Sequence, residues 1–527
     1  MSYKKVLFAG EAKWKLLEGI NLVSKAVGST IGPKGKNAIL DRRTALPIIT
    51  NDGVSIANWF NRVEDPFINT GVQMIKEVAQ KSNEVGDGTT TATIIASYLV
   101  NEGTKKIEAG EDPAGIVDGI KLAASETLHK LKKLSKPLNT RAELIQVATI
   151  SVEDKDLGEL VGDVISEVGR DGAVTVETYH DLRQETEITK GIKFEQGFVT
   201  PYMITNPFRQ EAVLEDVPVL ICDHIFAMND DIAPLANKLM EQGFKGMVLI
   251  CDDIKGEALA TAVKNTLKGI FHFLIIRLPG MDEQRQIIGK DLSVGVGANF
   301  IDKNLIPINE IDLSELGHAG KVISTAFDTV IMKGAGTKLE IKNKIQIMKE
   351  ELGKAISDEE RDNIKERIAR LSSSIGVIKI GYPTEQELIY KKHKLEDALA
   401  ATRAAEEEGT IAGGGVALLR LAPFGKFNPD AGEYVFYQAI QEPIRKIIEN
   451  AGKNPETIIE KIRNNKNPNY GFDAKIGEFR DMFINGIVDP VKVTRKAIEN
   501  AVSMACMFLS TETLIVDILE EHDYKKK

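Results

Sequence analysis

Along the first 130 residues, apolar positions recur at spacings of three and four, which predicts a mainly helical segment. The stretch NLVSKAVGSTIGPKGKN begins as an amphipathic helix and stops at Gly32-Pro33, because proline supplies no backbone donor. Over 69–83, Val72, Ile75 and Val78 fall on one face of a second helix. A break at Gly86-Asp87-Gly88 follows. A third helix then starts at Thr89-Thr90-Thr91 and carries Ile94, Ile95, Tyr98 and Leu99. The middle of the chain changes period. VPVLICD, GMVLICDD and FHFLIIRLPG are short, β-branched apolar runs bounded by Gly, Pro and Asp, the pattern of buried strands. Amphipathic helices at 231–242 and 257–267 alternate with them, which predicts an α/β domain. Next, Ile341, Ile345, Met348, Leu352 and Ile356 return to helical spacing. Ser357-Asp-Glu-Glu360 reads as a capping box opening a partner helix with Ile364, Ile368 and Leu371. Beyond about Tyr390 the chain is again read as helical, and the charged end EEHDYKKK as a fraying tail.

Composition narrows the class. A chain of 527 residues exceeds one core and predicts about three domains. The net charge of −10 argues against a nucleic-acid or anionic-membrane binder. Cys222, Cys251 and Cys506 lie in apolar runs without a CxxC pair, so inert core thiols are expected rather than a disulfide framework. The start MSYKKVLFAGEAKWK has no apolar signal core, and no run approaches the ~18–20 apolar residues of a membrane span. A cytoplasmic location is the expectation.

Several common chemistries are excluded. The seven histidines show no HExxH or paired metal spacing, and there is no GxSxG elbow. GPKGKN lacks Walker A spacing. What remains is EVGDGTTTATII over 84–95. Gly86 and Gly88 remove side chains where backbone must approach an anion, and a helix then opens, whose free N–H groups favour phosphate. Asp87 is a hard oxygen ligand suited to Mg²⁺. An Asp-Gly turn with a threonine N-cap would produce the same string. Further glycine turns occur in STIGPKGKN (29–37), TNDGVSI (50–56), the triplet Gly413 to Gly415, NYGFDA (469–474) and GIVDPVKVTR (486–495). KLEDALAATRAA places Asp397 on a helix one turn from Ala401.

In this order, GDGTTTAT, ATRAA…AGGGVAL and DPVKVTR resemble the group I chaperonins, the GroEL-like 60-kDa family, over about residues 3–517. The resemblance implies a multidomain α+β and α/β chaperonin fold. A mainly helical equatorial domain would combine 1–133 with 408–527, a small hinge domain 134–189 with 375–407, and an α/β apical domain would fill 190–374. It implies an ATP hydrolase coupled to protein folding, with Mg²⁺ and K⁺ as ions. The expected partners are six further copies in a seven-membered ring, doubled to a 14-mer, a lid co-chaperonin of the 10-kDa class, and unfolded polypeptides. Carried over residue by residue, Thr30, Ile31, Gly32 and Pro33 would line the phosphates, with Asn51 and Gly53 beside them. Asp87 would hold Mg²⁺, and Gly88, Thr89, Thr90 and Thr91 would cradle phosphate oxygens. Ile150, Ser151 and Gly414 would border the nucleotide, Asp473 and Ala474 the base, and Asp489 the ribose. Asp397 would position the attacking water, with Asp52 assisting. Asn51 stands where the family usually has lysine, Phe472 replaces a tyrosine, and Lys475 a small residue. For polypeptide binding the resemblance implies Phe198, Tyr202 and Met203 from one loop, and Leu259, Val263 and Lys264 from one groove helix. Ala233 and Ala236 align with two usual leucines on the other, while Ile232, Leu235 and Leu239 read as its core face. Lower or differently tuned substrate affinity is therefore expected. A specialised binding ring, and a metabolic kinase with a private glycine-loop site, are the competing readings. The middle segment shows no catalytic cluster for the latter.

Overall fold

The computed structural model describes residues 2–42, 47–83, 85–86, 88–138, 140–169, 172–178, 184–207, 210–280, 282–354, 357–372, 374–423 and 430–519. It divides into two compact units. The first comprises Met1–Ser166, Val176–Gln184 and Lys379–Lys527, the second Glu167–Thr175 and Glu185–Ile378.

The first unit is built from helices whose apolar stripes meet in one core. Ala9–Gly28 buries Ala12, Leu16, Ile20, Val23 and Val27. Pro66–Asn83 buries Val72, Ile75 and Val78, the face expected from the spacing. These two helices touch backbone to backbone: a Cβ on Gly19 would lie 2.1 Å from the Ile68 carbonyl oxygen, and one on Gly71 would lie 2.1 Å from that of Leu16. Thr89–Glu108, Pro113–Leu134 and Val491–Leu509 complete the layer. Helix starts follow ordinary capping chemistry. Asp112 accepts from Gly115 N ahead of Pro113, and Thr140 and Asp430 each form a capping box, with Glu143 and Glu433.

Strands that the helical reading did not foresee also occur in this unit. Ser2–Phe8 pairs antiparallel with Thr513–Leu519, Ala38–Leu40 with Ile48–Thr50, Thr410–Ala412 with Val488–Pro490, and Tyr470–Asp473 with Glu478–Asp481. They escaped notice because three- to seven-residue strands carry too few residues to establish a period of two.

The second unit contains the alternating strands and helices. Its sheet runs in the order His272–Arg277, Gly246–Cys251, Ala212–Ile221, Gly317–Ser324, Thr329–Gly334, Gln184–Phe194, Ser374–Ile380, Ala173–Thr178. The first three strands are mutually parallel, and the next joins antiparallel. Successive side chains go to opposite faces. Val219, Ile221, Val248, Ile250, Leu274 and Ile276 feed one apolar cluster, while Leu220, Met247, Leu249, Phe273 and Ile275 feed another. The helical pair is Lys338–Lys354 and Asp358–Ser372, burying Met348, Ile364 and Leu371. Ser357 Oγ accepts from Glu360 N at 3.1 Å as the capping signal requires, whereas Ile356 lies outside the described residues. All three cysteines are buried and unpaired, and burial pushes the Cys222 thiol up to about 12. The charged tail also lies outside the described residues, and among those described no helix is long and apolar enough to cross a membrane.

Candidate active site

Chain segments far apart in sequence meet in the first unit. The Ala9–Gly28 helix ends in a turn in which Gly35 N donates to Gly32 O at 2.8 Å and Lys36 N to Ser29 O at 2.9 Å. Gly32 has φ +81°, a conformation glycine adopts without strain. Thr30 is buried and its hydroxyl donates to Val27 O at 2.7 Å, so that hydroxyl is engaged within the protein. Gly53 sits against the next segment: a Cβ there would lie 2.7 Å from Thr90 Oγ1 and 3.1 Å from Thr89 Cγ2. Asp52 is the N-cap of Gly53–Trp59, its carboxylate accepting from Val54 N at 3.2 Å and Ser55 N at 2.9 Å. This gives Asp52 a structural duty beside the assisting role expected of it.

Gly86 has φ +113°, and a Cβ on it would lie 2.9 Å from Ala401 N and 3.1 Å from Ala401 Cα. The helix Glu385–Glu408, which carries Asp397 one turn earlier, therefore abuts the glycine loop. Gly88 N–H turns back to Gly86 O at 2.8 Å, and Gly88 begins Thr89–Glu108. Thr89 is buried with its hydroxyl on Ala79 O at 3.2 Å. Thr90 and Thr91 are half-buried. Asp87, the expected Mg²⁺ ligand, lies outside the described residues.

The glycine triplet meets a further set of segments. Ile411 and Asp489 are strand partners, and a Cβ on Gly413 would stand 2.9 Å from Asp489 Oδ1. Gly414 and Gly415 have φ +66° and +76°. Ala474 is buried in the same apolar cluster as Ala412, Val416 and Met482, which brings the Tyr470–Asp473 hairpin to the triplet. Asp473 is 8% exposed; its Oδ1 accepts from Lys475 N at 3.0 Å, and its Oδ2 stands 3.6 Å from Arg480.

The Asp397 helix is fastened to its neighbours by ion pairs. Lys391 holds Asp154 at 2.8 Å and Lys394 holds Glu153 at 3.1 Å, just beyond the Arg141–Val152 helix that carries Ile150 and Ser151. The Lys391 contact keeps the Asp154 carboxyl below its ordinary range. At the other end, Arg495 grips both oxygens of Glu408, Nε to Oε2 at 2.9 Å, and holds that carboxyl low as well.

Two polar atoms at this site are buried and lack any protein partner: Asn51 Oδ1 and Ser151 Oγ. Buried polar groups are ordinarily bonded, so orphans beside glycine turns mark a place built for a polar ligand. Together with the helix start at Gly88, they are groups of a kind that fits a phosphate-bearing ligand.

The helix Glu442–Asn450 falls in the stretch read as helical, but sequence reading named none of its residues at the site. Ile447 lies under Gly32, Ile444 under Gly415, and Asn450 reaches the carbonyls of residues 28, 29 and 31. Nothing in a lone asparagine before Gly452 distinguishes it from a helix end.

In the second unit, Tyr202 is 62% exposed, whereas Met203 is 1% exposed with its sulfur accepting from Ile275 N at 3.2 Å. Phe198 donates its N–H to Thr325 O and packs partly in the core. Ile232, Leu235 and Leu239 are buried, as their spacing suggested, but so is Ala236. Ala233, Leu259 and Val263 are half-buried and Lys264 is exposed.

Residues 23–518 match the TCP-1/cpn60 chaperonin family. The match spans nearly the whole chain, and the protein belongs to that family. Membership assigns it a chaperonin protein-folding role; members are ATPases that generally form oligomeric rings and bind unfolded polypeptides.

Proposed function

We propose that this chain is a group I chaperonin subunit that hydrolyses ATP and encloses non-native proteins in a seven-membered ring, doubled to a 14-mer and closed by a 10-kDa-class lid. The observation that carries the reading is the backbone contact of Gly86 with Ala400 and Ala401, which sets the Asp397 helix against the glycine loop. Phosphoryl transfer needs positioning and charge neutralisation more than covalent chemistry. The Gly32 N–H and the first-turn N–H groups of the Thr89–Glu108 helix would bind phosphate oxygens, and the glycines beside them permit the approach. Asp397 would accept a proton from the attacking water and orient it. Asn51 Oδ1 and Ser151 Oγ would gain the partners they lack. Asp473, Ala474 and Asp489 would border base and ribose. Mg²⁺ on Asp87, when bound, supplies positive charge to the phosphates, and K⁺ is the accompanying monovalent ion.

Phosphate release from MgATP with K⁺, comparing wild type with Asp397→Ala, tests the site. Turnover lost by a variant that still binds nucleotide supports it; wild type without turnover refutes it. Native mass spectrometry reads the ring number, alone and with a 10-kDa lid protein. Exposed Lys264 and buried Ala236 favour one second reading, a ring dedicated to few substrates. Suppression of aggregation for one client but not for unrelated unfolded proteins would select it.

A further inference from the structure

The helix Glu442–Asn450 presents Ile444, Ile447 and Asn450 at intervals of three, hence on one face. Cβ atoms built on the two glycine turns meet this face: Gly415 lies 2.9 Å from Ile444 Cβ, and Gly32 lies 3.1 Å from Ile447 Cγ2. Asn450 continues it with a polar group. Its Nδ2 donates to Ile31 O at 3.0 Å, with Gly28 O at 3.3 Å and Ser29 O at 3.4 Å also in reach. One side-chain amide thus gathers three backbone carbonyls of a single turn. A trans peptide is planar, so its C=O and N–H point in opposite directions. Drawing the Ile31 oxygen toward Asn450 therefore turns the Gly32 N–H the other way, whereas the Ser29 and Thr30 N–H groups are already held by Val27 O.

We infer that Asn450 is a positioning residue for nucleotide binding: by holding the Ile31 carbonyl it fixes the Ile31–Gly32 peptide so that the Gly32 N–H is presented to phosphate. This rests on the ATP reading above. Ile447 closes the same side with apolar surface, which leaves Asn450 as the group that orients the peptides. A purely space-filling role predicts that an isosteric replacement is harmless. An orienting role predicts the reverse, because aspartate has the same shape but offers acceptors to carbonyl oxygens.

The test compares wild type, Asn450→Ala and Asn450→Asp in the assembled protein. ADP affinity is read by calorimetry, KM and kcat by phosphate release, and Tm without nucleotide. Losing one shared hydrogen bond in Asn450→Ala should weaken ADP binding and raise KM by roughly 5- to 10-fold, with kcat within about twofold. Asn450→Asp should be worse than alanine, by more than about tenfold in KM. Asp binding ADP as wild type does would overturn the inference, and so would alanine and aspartate losing kcat rather than KM. If Asn450→Asp does not assemble, the KM-against-kcat split of Asn450→Ala decides alone. Wild type that binds no ADP would instead refute the ATP reading itself.

Discussion

Replacing Gly86 by alanine isolates the contact on which the proposed hydrolysis depends. Two costs arise. At φ +113° an L side chain is strained by on the order of 1–3 kcal/mol. The added Cβ would also stand 2.9 Å from Ala401 N, where ordinary contact begins at 3.4 Å. The neighbour is helix backbone, so 0.5 Å or more must be found by moving the loop or the 385–408 helix, and Asp397 moves with it. A misplacement of about 1 Å at a reacting centre costs about 100-fold. Gly110 supplies the control: its φ is +100°, but nothing lies within 4 Å of its Cβ position. Gly110→Ala should therefore lose comparable stability by thermal denaturation and keep kcat within about twofold. Gly86→Ala should lose roughly 30- to 100-fold in kcat for phosphate release. If Gly86→Ala turns over as Gly110→Ala does, the close approach is not what positions Asp397.

Three further outcomes follow from particular contacts. Burial pushes the Glu442 carboxyl up to about 7 from 4.5, against the attraction of Arg445 3.3 Å away. The folded state therefore holds the proton longer than the unfolded chain, and stability falls as pH rises from about 4.5 to 7. Glu442→Gln should gain on wild type across that window and level off above it at roughly 1–3 kcal/mol, measured by denaturant unfolding at several pH values. Glu408 shows the opposite sign: Arg495 holds its carboxyl below 4.5, so the stabilisation is present above that pH and lost on acidification. Arg495→Lys cannot grip both oxygens and should reduce kcat while destabilising by about 1 kcal/mol near neutral pH, an effect absent in the Glu408→Gln background. Ala236→Leu adds volume to a closed core and should cost about 1–3 kcal/mol, whereas Ala233→Leu should leave Tm unchanged and strengthen capture of an unfolded model protein.

Periodicity located most helices and the three central strands because each buries a single face, and that face is written at fixed intervals. Val72, Ile75 and Val78 needed no knowledge of their partners to be recognised. The motif strings likewise named most of the segments that converge on the glycine turns. What stayed hidden is which distant residues meet. Gly19 and Gly71 are unremarkable glycines in sequence, yet their close approach sets the spacing of two helices. Asn450 acts on carbonyls more than 400 positions away, and main-chain oxygens leave no trace in residue type. Alignment with a groove placed Ala236 beside Ala233, although helix rotation sends one to the core and leaves the other half-open. Met203 is buried on similar ground, since hydrophobicity suits both a docking surface and a core.

The pairing of Ser2–Phe8 with Thr513–Leu519 has a consequence during synthesis. At the usual 5–20 residues per second, the first strand waits roughly 25–100 s for its partner to leave the ribosome. The helix Val491–Leu509, which joins the same core, is almost equally late. The segment 185–378 is continuous and can complete most of its sheet well before then. A nascent chain would therefore carry one finished insert while the amphipathic helices that precede it remain uncovered for tens of seconds. A protein of a chaperonin family thus passes through a long interval in which its own first half is itself incompletely folded.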